Sequence, residues 1–350
     1  MAKKPYGVGI IGAGPGARAL HAPTLARLGD TFAVVHVADS GSGAAGRLAD
    51  SFGARSSTGA ESLLGDPEVD VVVICSPPEH HAAQILAALD AGKRSILCEK
   101  PIGLTHEDVD AVIDECRARG AALVVGTNHV YDPAWTRAKK HLLAHGGRID
   151  SITVSLALPP NDRYHAVVSE ETAASSNAAR PAPDWNDPGF ASAVVHSLVL
   201  GLAVHDLPLI RDLAPRFERI VYARPVPPIG YAIGLIADGI PISLTAVMLP
   251  GGADAAWVLR VLTQADEVEV SFPPAFVHAG SAGVEVRALQ GGRTEHRREP
   301  VDGYVAEWRG LAALLSGEEA VEYDEIRADA HYAVDIADAA AAWIRDGAAS

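Results

Sequence analysis

The chain is 350 residues long, with 48% hydrophobic and 21% charged residues, enough for two globular domains that each bury a sizeable core. A formal net charge of -15 excludes a sequence-independent grip on nucleic acid or on an anionic membrane, which clustered Lys and Arg would have to supply. No apolar run reads as long enough to span a membrane, and Met1 to Pro5 lead directly into a strand rather than a signal sequence, so small-molecule partners and a cytoplasmic location are expected. The three cysteines, Cys75, Cys98 and Cys116, fall in or beside apolar elements and read as buried small side chains. The 14 histidines show no HExxH or paired spacing, so no metal is expected.

The first apolar run, from Tyr6 to Ile11, reads as a strand that turns through Gly12-Ala13-Gly14-Pro15-Gly16-Ala17 into an amphipathic helix over residues 18–28. Gly12 permits a sharp turn, Gly14 leaves room for a pyrophosphate to approach the backbone, and Ala17 lets the helix pack closely on the strand. Gly16 completes the cluster, while Pro15 removes an N–H that could point at a phosphate. A second strand over residues 32–38 ends at Asp39, where an acidic residue binds the ribose hydroxyls of a dinucleotide. Asp39 favours NAD, with NADP as the alternative because Ser40 to Ser42 are small and Arg47 lies a turn away.

Helices over residues 44–52, 61–64, 79–91 and 106–119 then alternate with strands over 69–75, 95–98 and 122–126. This alternation predicts a doubly covered parallel sheet, whose ligands lie outside the carboxyl ends of the strands. Ser76, Pro77, Glu99, Lys100 and Asn128 are therefore expected to converge beside Gly14 as cofactor-binding residues. From residue 149 the pattern becomes strands of period two, predicting an α/β second domain with an open, mainly antiparallel sheet. The expected domains are 1–128 and 129–350, with the closing alanine-rich helix packing back on the first. The polar stretch 159–188, with Tyr164, Asp184 and Trp185, is expected to border the substrate, and Tyr131 reads equally as core packing or substrate contact. An apolar sheet face with few helices to cover it predicts a homo-oligomer, a dimer or tetramer.

The strand end Glu99-Lys100-Pro101 following a dinucleotide fold resembles the Gfo/Idh/MocA family of oxidoreductases. Ser76-Pro77-Pro78-Glu79-His80-His81, Ala91-Gly92-Lys93, Gly126-Thr127-Asn128 and Tyr131-Asp132-Pro133 carry the same resemblance in order and spacing. It implies a Rossmann domain followed by an open-faced α/β sheet domain. It further implies an NAD(P)-dependent dehydrogenase or ketoreductase that moves a hydride to or from a hydroxyl or keto carbon of a sugar, cyclitol or glycoside-like substrate. By the same resemblance, Lys100 is the catalytic acid or base that hydrogen-bonds the reacting oxygen, with its pKa lowered by desolvation. His81 would pack near the cofactor, with His80 facing water.

The family's second catalytic element is a helix with Asp and His four residues apart on one face. The matching helix is expected over residues 196–213, with His205 as a catalytic and substrate-binding group and Gly201 standing where the aspartate should be. Glycine cannot orient an imidazole, so either Asp184 or Asp162 replaces the aspartate or Lys100 works with little help, and in both cases the space at Gly201 suits a bulkier substrate. Asp206 is expected to be solvated or to cap a turn kinked by Pro208. The missing aspartate leaves a second reading, a dinucleotide-binding sensor that no longer catalyses. The intact Lys100 favours the enzyme.

Overall fold

The computed structural model describes residues 4–159, 184–249, 255–274 and 278–347. They fall into two compact units, Met1–Thr127 with Tyr304–His331, and Asn128–Gly303 with Tyr332–Ser350. In the first unit, β1 (Tyr6–Ile11), β2 (Phe32–Asp39), β3 (Arg55–Thr58), β4 (Val71–Ile74), β5 (Ser95–Cys98) and β6 (Ala122–Val125) form one sheet in the order β3-β2-β1-β4-β5-β6. All its pairings are parallel. The central strand β4 is an unbroken run of buried valine and isoleucine, as covering a parallel strand on both faces demands. Between the strands run α1 (Ala22–Arg27), α2 (Ala44–Asp50), α3 (Glu61–Leu64), α4 (His81–Asp90) and α5 (His106–Ala118).

Two features depart from the expected pattern. Polar β3 closes the sheet at an edge, where His36 ties it down: Nδ1 lies 2.8 Å from Asp66 Oδ2 and Nε2 lies 3.1 Å from Ser57 Oγ. The first helix opens with a π-helical turn, Ala17–His21, in which the Ala22 N–H reaches back to the Ala17 carbonyl. Pro23 supplies the reason, since it has no N–H for the Ala19 carbonyl and its ring crowds that turn, so the ladder slips by one residue.

The second unit contains α6 (Asn128–Tyr131), α7 (Pro133–His141), β7 (Ile149–Leu158), α8 (Pro188–Gly201) and α9 (Leu207–Arg211). Its other strands are β8 (Phe217–Pro225), β9 (Ile229–Ala237), β10 (Ile240–Met248), β11 (Ala256–Thr263), β12 (Asp266–Phe272), β13 (Gly283–Ala288) and β14 (Arg293–His296). The sheet runs β14-β13-β12-β11-β7-β10-β9-β8, antiparallel except where β7 pairs with β10. Ile152, Val154, Leu244, Leu259 and Val270 fill the inner face. The other face is not the apolar surface expected: Thr153 and Ser155 lie in register with Ser243 and Thr245, and Arg260 pairs with Glu269 at 2.7 Å.

The helix expected over residues 196–213 starts earlier and breaks. Asp187 caps α8 by accepting the Gly189 N–H at 2.9 Å; after Gly201 the chain makes a 3-10 turn, Ala203–His205, before α9. Pro208 falls within the first turn of α9, where its missing N–H costs nothing. Pro188–His205 is apolar and long enough by composition to cross a membrane, with a mean hydropathy of 1.4, a property the sequence reading overlooked. Only part of it is regular α-helix, and α8 packs on β8 and β9.

The chain closes with α10 (Gly303–Ser316) and α11 (Tyr323–Arg345). Residues 304–331 belong to the first unit, where Trp308 is fully buried against Phe32 with ring centroids 4.9 Å apart. The Tyr323 hydroxyl donates to the Ala121 carbonyl at 2.6 Å.

Candidate active site

In the first unit, a cavity of about 700 Å³ opens over the carboxyl ends of β1, β2 and β4, lined by Gly12, Gly14, Asp39, Ser76 and Pro77 among others. Gly12 has φ +94°, and a Cβ there would come within 2.6 Å of the Ser76 backbone nitrogen, so only glycine makes this turn. At Gly14 a Cβ would meet nothing within 4 Å, which leaves the backbone open to a ligand. Arg18 and Arg47 line the same space and suit a phosphate-bearing ligand. Gly16 and Ala17 do not line it: Gly16 lies in helical backbone and Ala17 is buried beneath the turn.

Asp39 is already organised. Its Oδ1 accepts the Gly41 N–H at 2.8 Å, and its Oδ2 accepts the Ser42 hydroxyl at 2.5 Å and the Ala45 N–H at 3.1 Å. The Ser42 hydroxyl, helped by these N–H groups, outweighs burial and lowers the carboxyl pKa below its ordinary value. A fixed anion at the end of β2 can accept ribose hydroxyls and repel an added phosphate.

Beyond β5, Glu99 is held by the π-helical turn. Trp308 Nε1–H donates to His21 Nδ1 at 3.2 Å, which leaves His21 Nε2–H to donate to Glu99 Oε1 at 2.9 Å. Burial pushes the Glu99 carboxyl up, but the His21 hydrogen bond and the Lys100 charge outweigh it and its pKa lies below the usual value. Lys100 follows, its bond to Pro101 cis, and burial lowers its pKa against the opposing pull of Glu99. The neutral amine is therefore more accessible than on a surface lysine.

In the second unit, Asp206 is 1% exposed rather than solvated. Its two oxygens accept Trp257 Nε1–H at 3.1 and 2.9 Å, and Oδ1 also meets His129 Nδ1 at 3.1 Å. His129 stacks on Phe272 with centroids 3.6 Å apart, and the His205 ring lies 5.4 Å from that of His129 and 5.5 Å from that of Trp257. Asp184 is exposed and accepts the Asn186 N–H at 3.0 Å, serving its own turn, while Trp185 packs edge-on against Phe190. Tyr164 and Asp162 lie outside the described residues.

Residues 6–127 match the model of an oxidoreductase family with an NAD-binding Rossmann fold. Over those residues the first unit is similar to the Gfo/Idh/MocA family. Among relatives, 1,5-anhydro-D-fructose reductase from Ensifer adhaerens is 36% identical over 161 residues, 42% of this chain and 47% of that protein. Inositol 2-dehydrogenase 2 from Saccharopolyspora erythraea is 39% identical over 144 residues, 41% of each. The matched stretch thus spans about half the length of these curated relatives or less. In fold, the chain is similar to KijD10, a 3-ketoreductase from Actinomadura kijaniata solved with NADP, with a TM-score of 0.72, 20% identity and 96% of each chain covered.

Within this unit, several expected placements change. His80, not His81, lines the cavity. His81 opens α4 and is buried with Nδ1 2.7 Å from the Pro101 carbonyl and Nε2 2.8 Å from that of Ser76, so it braces the two loops instead of touching the cavity. Glu99 and Lys100 lie beyond the cavity lining, and Asn128 and Tyr131 open the second unit as the ends of α6. Gly201 ends α8, and a Cβ there would meet nothing within 4 Å. Because the chain breaks after Gly201, residues 201 and 205 do not share one helical face, and an aspartate at 201 would not stand one regular turn before His205. Sequence reasoning missed Trp257 altogether. Its signal was the inward alternation of β11, which marks a core side chain but not its hydrogen bond.

Proposed function

We propose that this chain is an NAD(P)-dependent dehydrogenase or ketoreductase acting on a hydroxyl or keto carbon of a sugar, cyclitol or glycoside-like substrate. The observation that carries the reading is the open backbone at Gly14 above a cavity with a preorganised Asp39, in a unit whose next strand end carries a desolvated lysine. A bound nicotinamide would supply the hydride acceptor or donor. The proton is left to the protein: neutral Lys100 takes it from a substrate hydroxyl, and its ammonium form returns it to a carbonyl oxygen. His205 is the second acid or base in this reading. The relatives named as a reductase and an inositol dehydrogenase support the substrate class. A panel of polyols and keto-sugars followed by nicotinamide absorbance tests it. Dinucleotide binding with no turnover on any member would instead favour a sensor.

Asp39 makes NAD the preferred cofactor. Asp39→Ser removes the repulsion of a 2′-phosphate and the acceptor for ribose hydroxyls, so the ratio of NAD to NADP affinity should fall by about 10- to 100-fold, the worth of one or two charged hydrogen bonds. Titrations of both cofactors by nicotinamide fluorescence read this directly, and wild-type protein that binds NADP more tightly sinks the assignment.

The reading extends to a cytoplasmic homo-oligomer, a dimer or tetramer, without nucleic-acid or membrane partners. Its contact would use the sheet face that carries Thr153, Ser155, Ser243 and Thr245. Light scattering at micromolar concentration should give a multiple of the chain mass. A monomer there refutes it.

A further inference from the structure

We infer that Asp206 is the positioning residue of the second unit, holding the two rings that bracket His205 and so replacing the carboxylate that Gly201 cannot supply. The inference rests on the proposed role of His205, but its geometry is independent of any substrate. A buried carboxylate is costly unless its oxygens are satisfied, and Asp206 has three short contacts, two from Trp257 Nε1 and one with His129 Nδ1. Both partners come from elsewhere in the chain, His129 from α6 and Trp257 from β11, 77 and 51 residues away.

Those same two rings face His205, at 5.4 Å and 44° for His129 and at 5.5 Å and 85° for Trp257. One anion therefore fixes both rings that lie beside the imidazole. The break after Gly201 makes this possible: the 3-10 turn ends at His205, and the next residue turns its carboxylate into the core. Phe272 completes the arrangement by stacking flat on His129 at 8°, which stops that ring from tilting. The titratable groups around the carboxylate are His129, His205 and Tyr231, and the phenol of Tyr231 is pushed up by burial and by the Asp206 charge.

The test uses the full chain. Asp206→Asn keeps the shape and removes the charge, and Trp257→Phe keeps the ring and removes the N–H. Long-range nitrogen–proton spectra of the imidazoles are recorded for each at one pH, with thermal melts and NADH fluorescence as controls. In both variants the His205 ring signals should move, and His129 should lose its fixed tautomer in Asp206→Asn, while NADH binding stays within about 3-fold. Unmoved His205 signals in a folded variant overturn the inference, whether or not a substrate is known. If Asp206→Asn fails to fold, the Trp257→Phe spectrum decides.

With a substrate in hand, Asp206→Asn should lower kcat by about 100-fold, the cost of misplacing a reacting group by an ångström, with KM nearly constant and a displaced pH limb. A purely structural residue would lower melting temperature and leave that limb in place.

Discussion

Lys100→Met should reduce turnover by about 100- to 10,000-fold while NADH binding changes by less than about 3-fold, because the lysine moves a proton and the dinucleotide is held elsewhere. Methionine suits the site, being unbranched and apolar where burial already disfavours charge. The pH dependence gives an independent check. Burial lowers the Lys100 pKa, so the neutral base needed for alcohol oxidation is populated from lower pH than on a surface lysine. Oxidation should therefore rise with pH through that lowered pKa, and carbonyl reduction, which needs the ammonium, should fall through the same point. Initial rates against pH, in both directions and for both proteins, measure this. Wild-type turnover in the variant would remove Lys100 from the mechanism.

Gly14→Leu should fold as the parent does and bind neither NAD nor NADP measurably, a loss of at least about 100-fold in affinity. A Cβ at Gly14 meets nothing within 4 Å and the residue lines the cavity, so the new side chain occupies ligand space without displacing protein atoms. Gly12 behaves oppositely. Its positive φ and the Ser76 nitrogen at 2.6 Å make any side chain there a folding defect, so loss of binding in a Gly12 variant says nothing about the site. A thermal melt beside a fluorescence titration separates the two cases. Normal affinity in Gly14→Leu would show that the cofactor lies elsewhere.

Alternation of apolar strands with amphipathic helices made the first unit legible, because a doubly covered parallel strand must be apolar throughout. The turn at Gly12 was legible for the same kind of reason: only glycine tolerates the backbone that the turn requires there. Strand β3 was not, since Arg55 to Thr58 at a sheet edge carry no apolar pattern. The π-helical turn at Ala17 was encoded by Pro23, a local signal that was present but unread. Asp206 could not be read locally at all. Its burial depends on partners 51 and 77 residues distant, and an aspartate beside a proline-bearing turn ordinarily stays in water. Gly201 shows the limit of matching positions: the i to i+4 rule holds along one helix, and here the helix ends between the two positions compared.

The burial of Trp308 has a consequence for how the chain matures on the ribosome. The first unit takes its strands and the cavity at Gly14 from residues up to 127, yet Trp308 packs on Phe32 and supplies the N–H that meets His21 Nδ1. Until that tryptophan is synthesised, the nascent Rossmann sheet lacks a wall, and Glu99 lacks the fixed donor that orients it. Vectorial synthesis therefore cannot finish the first unit first. It closes only after the eight-stranded sheet inserted within it has been made, so a chain cut short before α10 would hold the glycine turn after β1 without the Trp308 packing on Phe32 and His21.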